Sequence, residues 1–156
     1  MYVKVSLAFL TLITSSTFAR AQNHPVIQLR GMGSQIYICA ATSAGYRWNF
    51  RAPDAKLTNM EGHAAGHHFD GPTWQATDGS SVVGELMVSS PAPEPTSIPW
   101  LLLRAKSHRG NGLFASISFI SRTQTQGGVS PENGCDAKHS GTETRVPYRA
   151  TYTFFP

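Results

Sequence analysis

No dense run of basic residues occurs anywhere in this chain. Its 13 Lys and Arg face 9 Asp and Glu, for a formal net charge of +4. The basic residues are scattered: Arg30, Arg47, Arg51, Lys56, Arg104, Lys106, Arg109 and Arg122 form no dense run. A nucleic-acid partner needs such charges gathered on one face, so that class of function is set aside. Catalytic signatures are missing too. There is no G-x-S-x-G elbow for a serine nucleophile, no H-E-x-x-H for a zinc hydrolase and no close Cys/His grouping of a structural zinc site. "GMGS" at 31–34 has two glycines of a dinucleotide loop. It lacks the third, precedes a strand pattern rather than opening a helix, and stands in no βαβ unit. No cofactor is expected on these grounds. Beyond the first residues there is no amphipathic helix of three turns and no apolar run long enough to span a bilayer.

The first residues have a layout of their own. Lys4 precedes the apolar stretch "VSLAFLTLITSSTFA", and Ala19-Arg20-Ala21 follows as a small-x-small site. This is the order of a secretory signal peptide, and its apolar run is too short and too polar for a transmembrane span. Residues 1–21 are therefore expected to be removed, leaving 22–156 as a single β domain, secreted or periplasmic. Lys4 and Arg20 leave with the signal, so the balance of charge on the remainder is only about half that of the whole chain. The chain has just 2 cysteines, Cys39 and Cys135. In an oxidising compartment an even pair reads as one disulfide. Closing a loop of about 96 residues would stabilise the fold by on the order of 4–5 kcal/mol on chain-entropy grounds. The alternative is two buried thiols.

Period-two alternation dominates the remainder. "YRWNF" sets Tyr46, Trp48 and Phe50 on one face, which places Trp48 in the core. "RVPYRATYTF" sets Val146, Tyr148, Ala150, Tyr152 and Phe154 together, and "LFASISF" does the same for Leu113, Ala115, Ile117 and Phe119. These patterns predict half-buried antiparallel strands. "SQIYICAA", "PTWQAT" and "SVVGELMVS" are further candidates, and the more continuously apolar "PWLLLRA" suits a strand buried on both faces. Gly/Pro/Asp-rich punctuation separates them. The expected fold is all-β: a small antiparallel β-sandwich or closed β-barrel of about seven or eight strands with one disulfide. Long apolar-faced spanning strands are lacking, which argues against an outer-membrane barrel. "SSPAPEPTSIP", residues 89–99, reads as an extended connection, carrying the chain between sheets or projecting as an arm.

The densest chemistry lies in "HHFDGPTWQATDGS", residues 67–80. His63, His67 and His68 are weak candidate metal ligands; the Gly-rich spacing secures no helix to align them, and no metal is assigned. Asp70 and Asp78 flank Trp74 and would suit acid/base work if the fold brought them together. The competing reading is two β-turns around an indole, because Asp-Gly favours a two-residue hairpin turn. Trp74 and Trp100 sit beside turn residues, where a flat ring can stack on a ligand. Arg122 closes a strand pattern and is suited to pair with a carboxylate of the protein or of a ligand. The candidate ligand-binding residues are thus His68, Asp70, Trp74, Asp78, Trp100 and Arg122.

Several segments taken in order carry a resemblance: "YIC" (37–39), "WNFRAPDAKL" (48–57), "HFDGPTW" with "DGS" (68–80), "IPWLLL" (98–103), "RTQTQGGVSPENGC" (122–135) and "VPYRATYTFF" (146–155). The chain resembles the domain-of-unknown-function family numbered 3455 over nearly all of the predicted mature length. The resemblance implies an exported protein and hands over no catalytic or ligand residues. His68, Gly71, Pro72, Trp74, Asp78, Gly79, Trp100, Arg122, Thr125, Gly127, Gly128 and Cys135 match its motifs. A malate dehydrogenase label carried by some relatives finds no nucleotide fingerprint here.

Residues and resemblance together point to an exported β domain that binds a ligand or a partner, such as a glycan or an envelope protein, without catalysis. One rival is a small metal- or carboxylate-dependent enzyme centred on His68, Asp70 and Asp78, which requires those side chains to converge on one cleft. The other is a structural coat or matrix protein, which would show no defined cleft.

Overall fold

The computed structural model describes residues 26–156, so the expected signal segment, 1–21, lies outside the described residues. Eight strands follow one another: β1 Ile27–Thr42, β2 Gly45–Thr58, β3 Ala64–Phe69, β4 Thr73–Ala76, β5 Ser81–Ser90, β6 Trp100–Arg109, β7 Phe119–Gly127 and β8 Glu143–Phe155. Each pairs antiparallel with the next, and β8 returns to β1, so the sheet closes into a barrel. Of the two architectures open from sequence, the barrel is the one formed. Closure gives every strand two neighbours and removes the unpaired edges that an open sheet exposes.

The alternation read from sequence becomes the inside and outside of this barrel. Leu101, Arg122, Tyr152 and Leu29 stand in register across β6, β7, β8 and β1. Ala55, His68, Trp74 and Val82 do the same across β2 to β5. Trp74, Tyr148, Tyr152, Phe154 and Phe114 are fully buried. Their rings meet edge-on or tilted, with Phe114 and Phe154 centred 4.6 Å apart and Trp74 and Tyr152 5.5 Å apart, a geometry that suits the ring quadrupoles. The space for these rings comes partly from Gly31, where a Cβ would overlap the Tyr152 ring. Many outward positions are polar, with Arg30, Lys56, His67, Gln75, Arg104 and Arg149 all exposed, and the exposed apolar residues form no continuous belt of alternate positions around the eight strands. A membrane barrel needs the reverse, an apolar outer belt. No helix among the described residues is long and apolar enough to cross a membrane.

Four expectations need correction. "LFASISF" is not a strand; only Phe119 enters β7, while residues 111–118 turn inward. Phe114 and Ile117 are the buried residues of that segment, and Leu113 and Phe119 are exposed. The segment is a plug, so its burial follows a turn rather than a pleat. The face carrying Tyr46, Trp48 and Phe50 is not core either. β2 pairs with β3 only over Ala55–Thr58, so the β1–β2 hairpin runs past the rim and leaves Tyr46 and Phe50 exposed. Trp48 is half-buried there, and its indole N–H donates to the Asn133 carbonyl. "PWLLLRA" buries fully only Leu103. The proline-rich stretch joins the neighbouring strands β5 and β6 of the one sheet. It folds back on β7, with Ile98 buried and its carbonyl accepting from Thr125 Oγ1.

Cys39 and Cys135 form the disulfide, with Cα atoms 5.3 Å apart. It ties the connection between β7 and β8, residues 128–142, to the upper part of β1. Backbone bonds between Cys39 and the stretch 141–142 reinforce the tie, and Asp136 caps a single 3-10 turn, Ala137–His139, beside it.

Candidate functional site

The up-and-down course of the strands gives the barrel two unlike ends. At one lie the turns 59–63 and 77–80 and the plug 110–118; at the other lie the turn 70–72 and the connections 91–99 and 128–142.

The first end is closed. Asp78 sits in the β4–β5 turn, and its Oδ1 accepts from the backbone N–H of Ser80 at 2.8 Å and from the Ser80 hydroxyl at 2.6 Å. Its Oδ2 accepts from the Leu113 N–H at 2.7 Å, across 35 residues of chain. Ser80 Oγ in turn accepts from the Phe114 N–H. The Ser80 hydroxyl, followed by the Leu113 N–H, holds the Asp78 carboxyl below its ordinary range, because these donors favour the charged form. Gly112 must be bare, since a Cβ there would overlap the Asp78 carboxylate. Asp78 is thus a clasp between a hairpin turn and the plug.

The other end is open and holds a cavity of about 270 Å3. Its walls include Phe50, Pro53, Leu86, Leu101 and Leu103, and toward the barrel interior His68, Trp74, Tyr152, Arg122 and Gln35. Asp70 stands exposed on the lip, in the turn between β3 and β4. His68, Asp70, Trp74 and Arg122 therefore line one cavity. Asp78 lies at the far end of β4 and Trp100 outside the lining. His68, Asp70 and Asp78 do not converge.

The adjacent histidines part company because a strand sends successive side chains to opposite faces. His67 points outward and its Nε2 meets Asp54 at 2.8 Å, where Arg145 also pairs at 2.8 Å. His68 turns inward, 2 % exposed, and stacks on Trp74 with ring centroids 4.3 Å apart and 6° between planes. His63 lies in the turn before β3. Among the described residues no three His, Cys, Asp or Glu side chains are grouped to hold a metal ion.

Burial pushes the His68 pKa down to about 3, with Arg122 adding to that effect, while the bond to the Thr73 carbonyl works against it. The ring is neutral at physiological pH. Its Nδ1 lies 2.9 Å from the Thr73 carbonyl, which can only accept, so Nδ1 carries the hydrogen and Nε2 is left as an acceptor. An imidazole so reluctant to take a proton is a poor general base near neutrality. Burial likewise pushes Tyr152 well above its ordinary range, with Tyr148 adding to that and Arg122 opposing. The two hydroxyls are 3.0 Å apart.

Some groups in this wall are unsatisfied. The Trp74 indole N–H and the Gln35 amide nitrogen are buried without a hydrogen-bond partner; Gln35 approaches the Tyr148 hydroxyl but not in bonding geometry. Gln35, Tyr152, Phe50 and Leu86 line the cavity without having been candidate site residues, Tyr152 and Phe50 being expected only as members of strand faces. Gln35 alone had a legible signal, a polar residue on the inward parity of Leu29, Gly31 and Gly33.

Residues 20–156 match the model of the family described as "Protein of unknown function (DUF3455)". The chain belongs to this family. The match takes in all eight strands of this DUF3455 barrel and both of its ends. No curated protein and no solved structure matches the chain. What the cavity does is therefore argued from its geometry.

Proposed function

We propose that the protein is an exported, non-catalytic binding protein that holds one small ligand in the open mouth of its barrel. The observation that carries this is a mostly apolar cavity of about 270 Å3 at the open end of the barrel, lined by His68, Arg122, Trp74 and Gln35, the last two each with a buried nitrogen donor that has no partner in the protein. A buried polar group left unpaired costs about 1–3 kcal/mol, and a ligand acceptor relieves that penalty where a small shift of the covering side chains uncovers the donor. Eight-stranded barrels have interiors wide enough for side chains or for one small ligand. The volume falls just below the range of about 300–1,000 Å3 common for drug-sized ligands, which favours a smaller molecule. The disulfide agrees with an oxidising compartment, and the reading "VSLAFLTLITSSTFA" plus Ala-Arg-Ala supplies the export route.

Catalysis is disfavoured by the separation of Asp78 from the cavity and by the neutral, weakly basic His68. A sugar stacking on an exposed indole is disfavoured at Trp74, which is 1 % exposed. A partner protein has one feature in its favour: Phe50, Leu86, Met87 and Val88 are exposed apolar residues near the mouth.

A thermal-shift and tryptophan-fluorescence screen over small amphipathic molecules tests the reading. A ligand present at 100 times its Kd should add about 2.7 kcal/mol of stability. A broad panel in which nothing raises Tm and nothing perturbs fluorescence would sink it.

A further inference from the structure

Arg122 is the only basic residue on the inner row Leu101–Arg122–Tyr152–Leu29. Its side chain is half-buried and lines the cavity. Among the described residues no carboxylate forms an ion pair with it, whereas Arg51 pairs with Glu143, Arg104 with Glu85, and Arg145 with Asp54 and Glu143. Two of its N–H groups are committed, Nε at 3.2 Å and Nη2 at 2.8 Å, both to the Pro99 carbonyl oxygen. That contact fixes the plane of the guanidinium but neutralises no charge. The side chain also approaches the Tyr152 hydroxyl; a guanidinium carries five N–H donors, so donors are left over and its charge has no counter-ion among the described residues.

The surroundings make that charge consequential. The nearest ionisable neighbours on the barrel interior, His68, Tyr148 and Tyr152, are neutral at physiological pH, and Arg122 is among the charges acting on each. A cation facing apolar walls gains more from a counter-ion than one in bulk water. Trp74 and Gln35, which line the same cavity, each keep a buried nitrogen donor without a partner. Arg51 also lines the cavity but is paired with Glu143, while Phe50, Pro53, Leu86 and Leu101 supply an apolar remainder. Asp70 is the single acidic group of the lining and lies exposed on the lip.

Resting on the binding reading above, we infer that the mouth cavity takes a small apolar monocarboxylate, its head on Arg122 and its tail along Leu86, Leu101 and Phe50. Planar, forked donation to carboxylate is what a guanidinium does better than an ammonium. The apolar lining explains why the rest of the ligand is hydrocarbon rather than a second charged group.

Three probes with one tail separate head from tail: octanoate, 1-octanol and octylammonium, each titrated against the full chain after export and read by calorimetry and tryptophan fluorescence. The expected order is octanoate at least tenfold tighter than octanol, and octylammonium weakest. Arg122→Gln should bring octanoate down to the octanol level and leave octanol unchanged, a comparison made on variant shown folded by circular dichroism. If that variant does not fold, the order for the unaltered protein decides alone. Equal affinity for all three heads, or octylammonium the tightest, overturns the inference while leaving the cavity a binding site. If no tail binds but the wider panel yields another ligand, the carboxylate inference fails and the binding reading stands. If nothing binds in either experiment, both fail.

Discussion

At the closed end of the barrel the plug arrives with its polar groups already matched: Asp78 receives Ser80 and Leu113, Ser80 receives Phe114, and His108 Nε2 meets the Ile117 carbonyl at 2.7 Å. At the open end Gln35 and Trp74 keep nitrogen donors that nothing meets, and Arg122 keeps its charge. Both ends belong to the same eight strands, and both bury aromatic rings. The difference lies in what each asks of the polar groups it encloses. A matched network specifies one packing and resists change. An unmatched one leaves stability on the table at a place where something else can supply the missing partner. Asp78 and His68, only ten residues apart, fall on opposite sides of this divide.

Four experiments would sharpen or break the contrast. The largest effect is expected from Phe114→Ala at the plug. Truncating a fully buried phenylalanine typically costs about 3–5 kcal/mol, read as a lower urea midpoint, and ligand affinity at the mouth should survive in whatever fraction remains folded. Loss of mouth binding with the plug intact elsewhere would show that the ends are not independent.

Next comes the disulfide, which acts on the mouth. Cys39→Ser with Cys135→Ser should lower stability by about 2–5 kcal/mol, with faster hydrogen exchange confined first to residues 128–142. Uniform loosening of the whole barrel would contradict the assignment of that bond to the rim.

Acid should then expose His68. Its folded pKa of about 3 lies below the ordinary histidine value of 6.5, so between those values the unfolded chain binds the extra proton. Its contribution to stability is fully present above pH 6.5 and is lost progressively as pH falls toward 3, with a slope approaching about 1.4 kcal/mol per pH unit. Asp78, with its depressed pKa, adds a loss in the same direction at lower pH, below the ordinary carboxylate range. His68→Phe should flatten the slope above pH 4. An unchanged slope would mean that the imidazole is not the group responsible.

The smallest change is expected for Gln35→Leu. It removes an amide whose nitrogen has no partner, so stability should hold within about 1 kcal/mol or rise slightly, whereas the same kind of change at a matched site, Ser80→Ala, should be destabilising. Equal losses at both sites would erase the distinction between the two ends.

Much of the barrel could be read directly from the residues. The inward parity of Tyr148, Ala150, Tyr152 and Phe154 survives intact in β8, because a strand with β1 on one side and β7 on the other has no freedom to slip its faces. The Asp-Gly turn and the Cys39–Cys135 link depend on local geometry and on counting, and both are there, the turn as a three-residue loop, 77–79, rather than the two-residue one expected. What misled was alternation outside the ladder. Tyr46, Trp48 and Phe50 alternate on a hairpin that outruns its neighbours, and Phe114 and Ile117 are spaced by a turn. Alternation reports a pleat, not whether anything lies beneath it. The cavity was half legible: single side chains such as Trp74 and Arg122 announce themselves by type, but Gln35, Leu86 and Tyr152 join them only through register between strands far apart in sequence.

Arg122 reaches its place by gripping the carbonyl of Pro99, the last residue of the proline-rich connection before β6. One side chain thereby faces the hollow of the barrel and anchors a loop on its outside. An anion held by the remaining N–H groups would share the guanidinium with that carbonyl, so the seating of the loop and the filling of the hollow meet at one side chain.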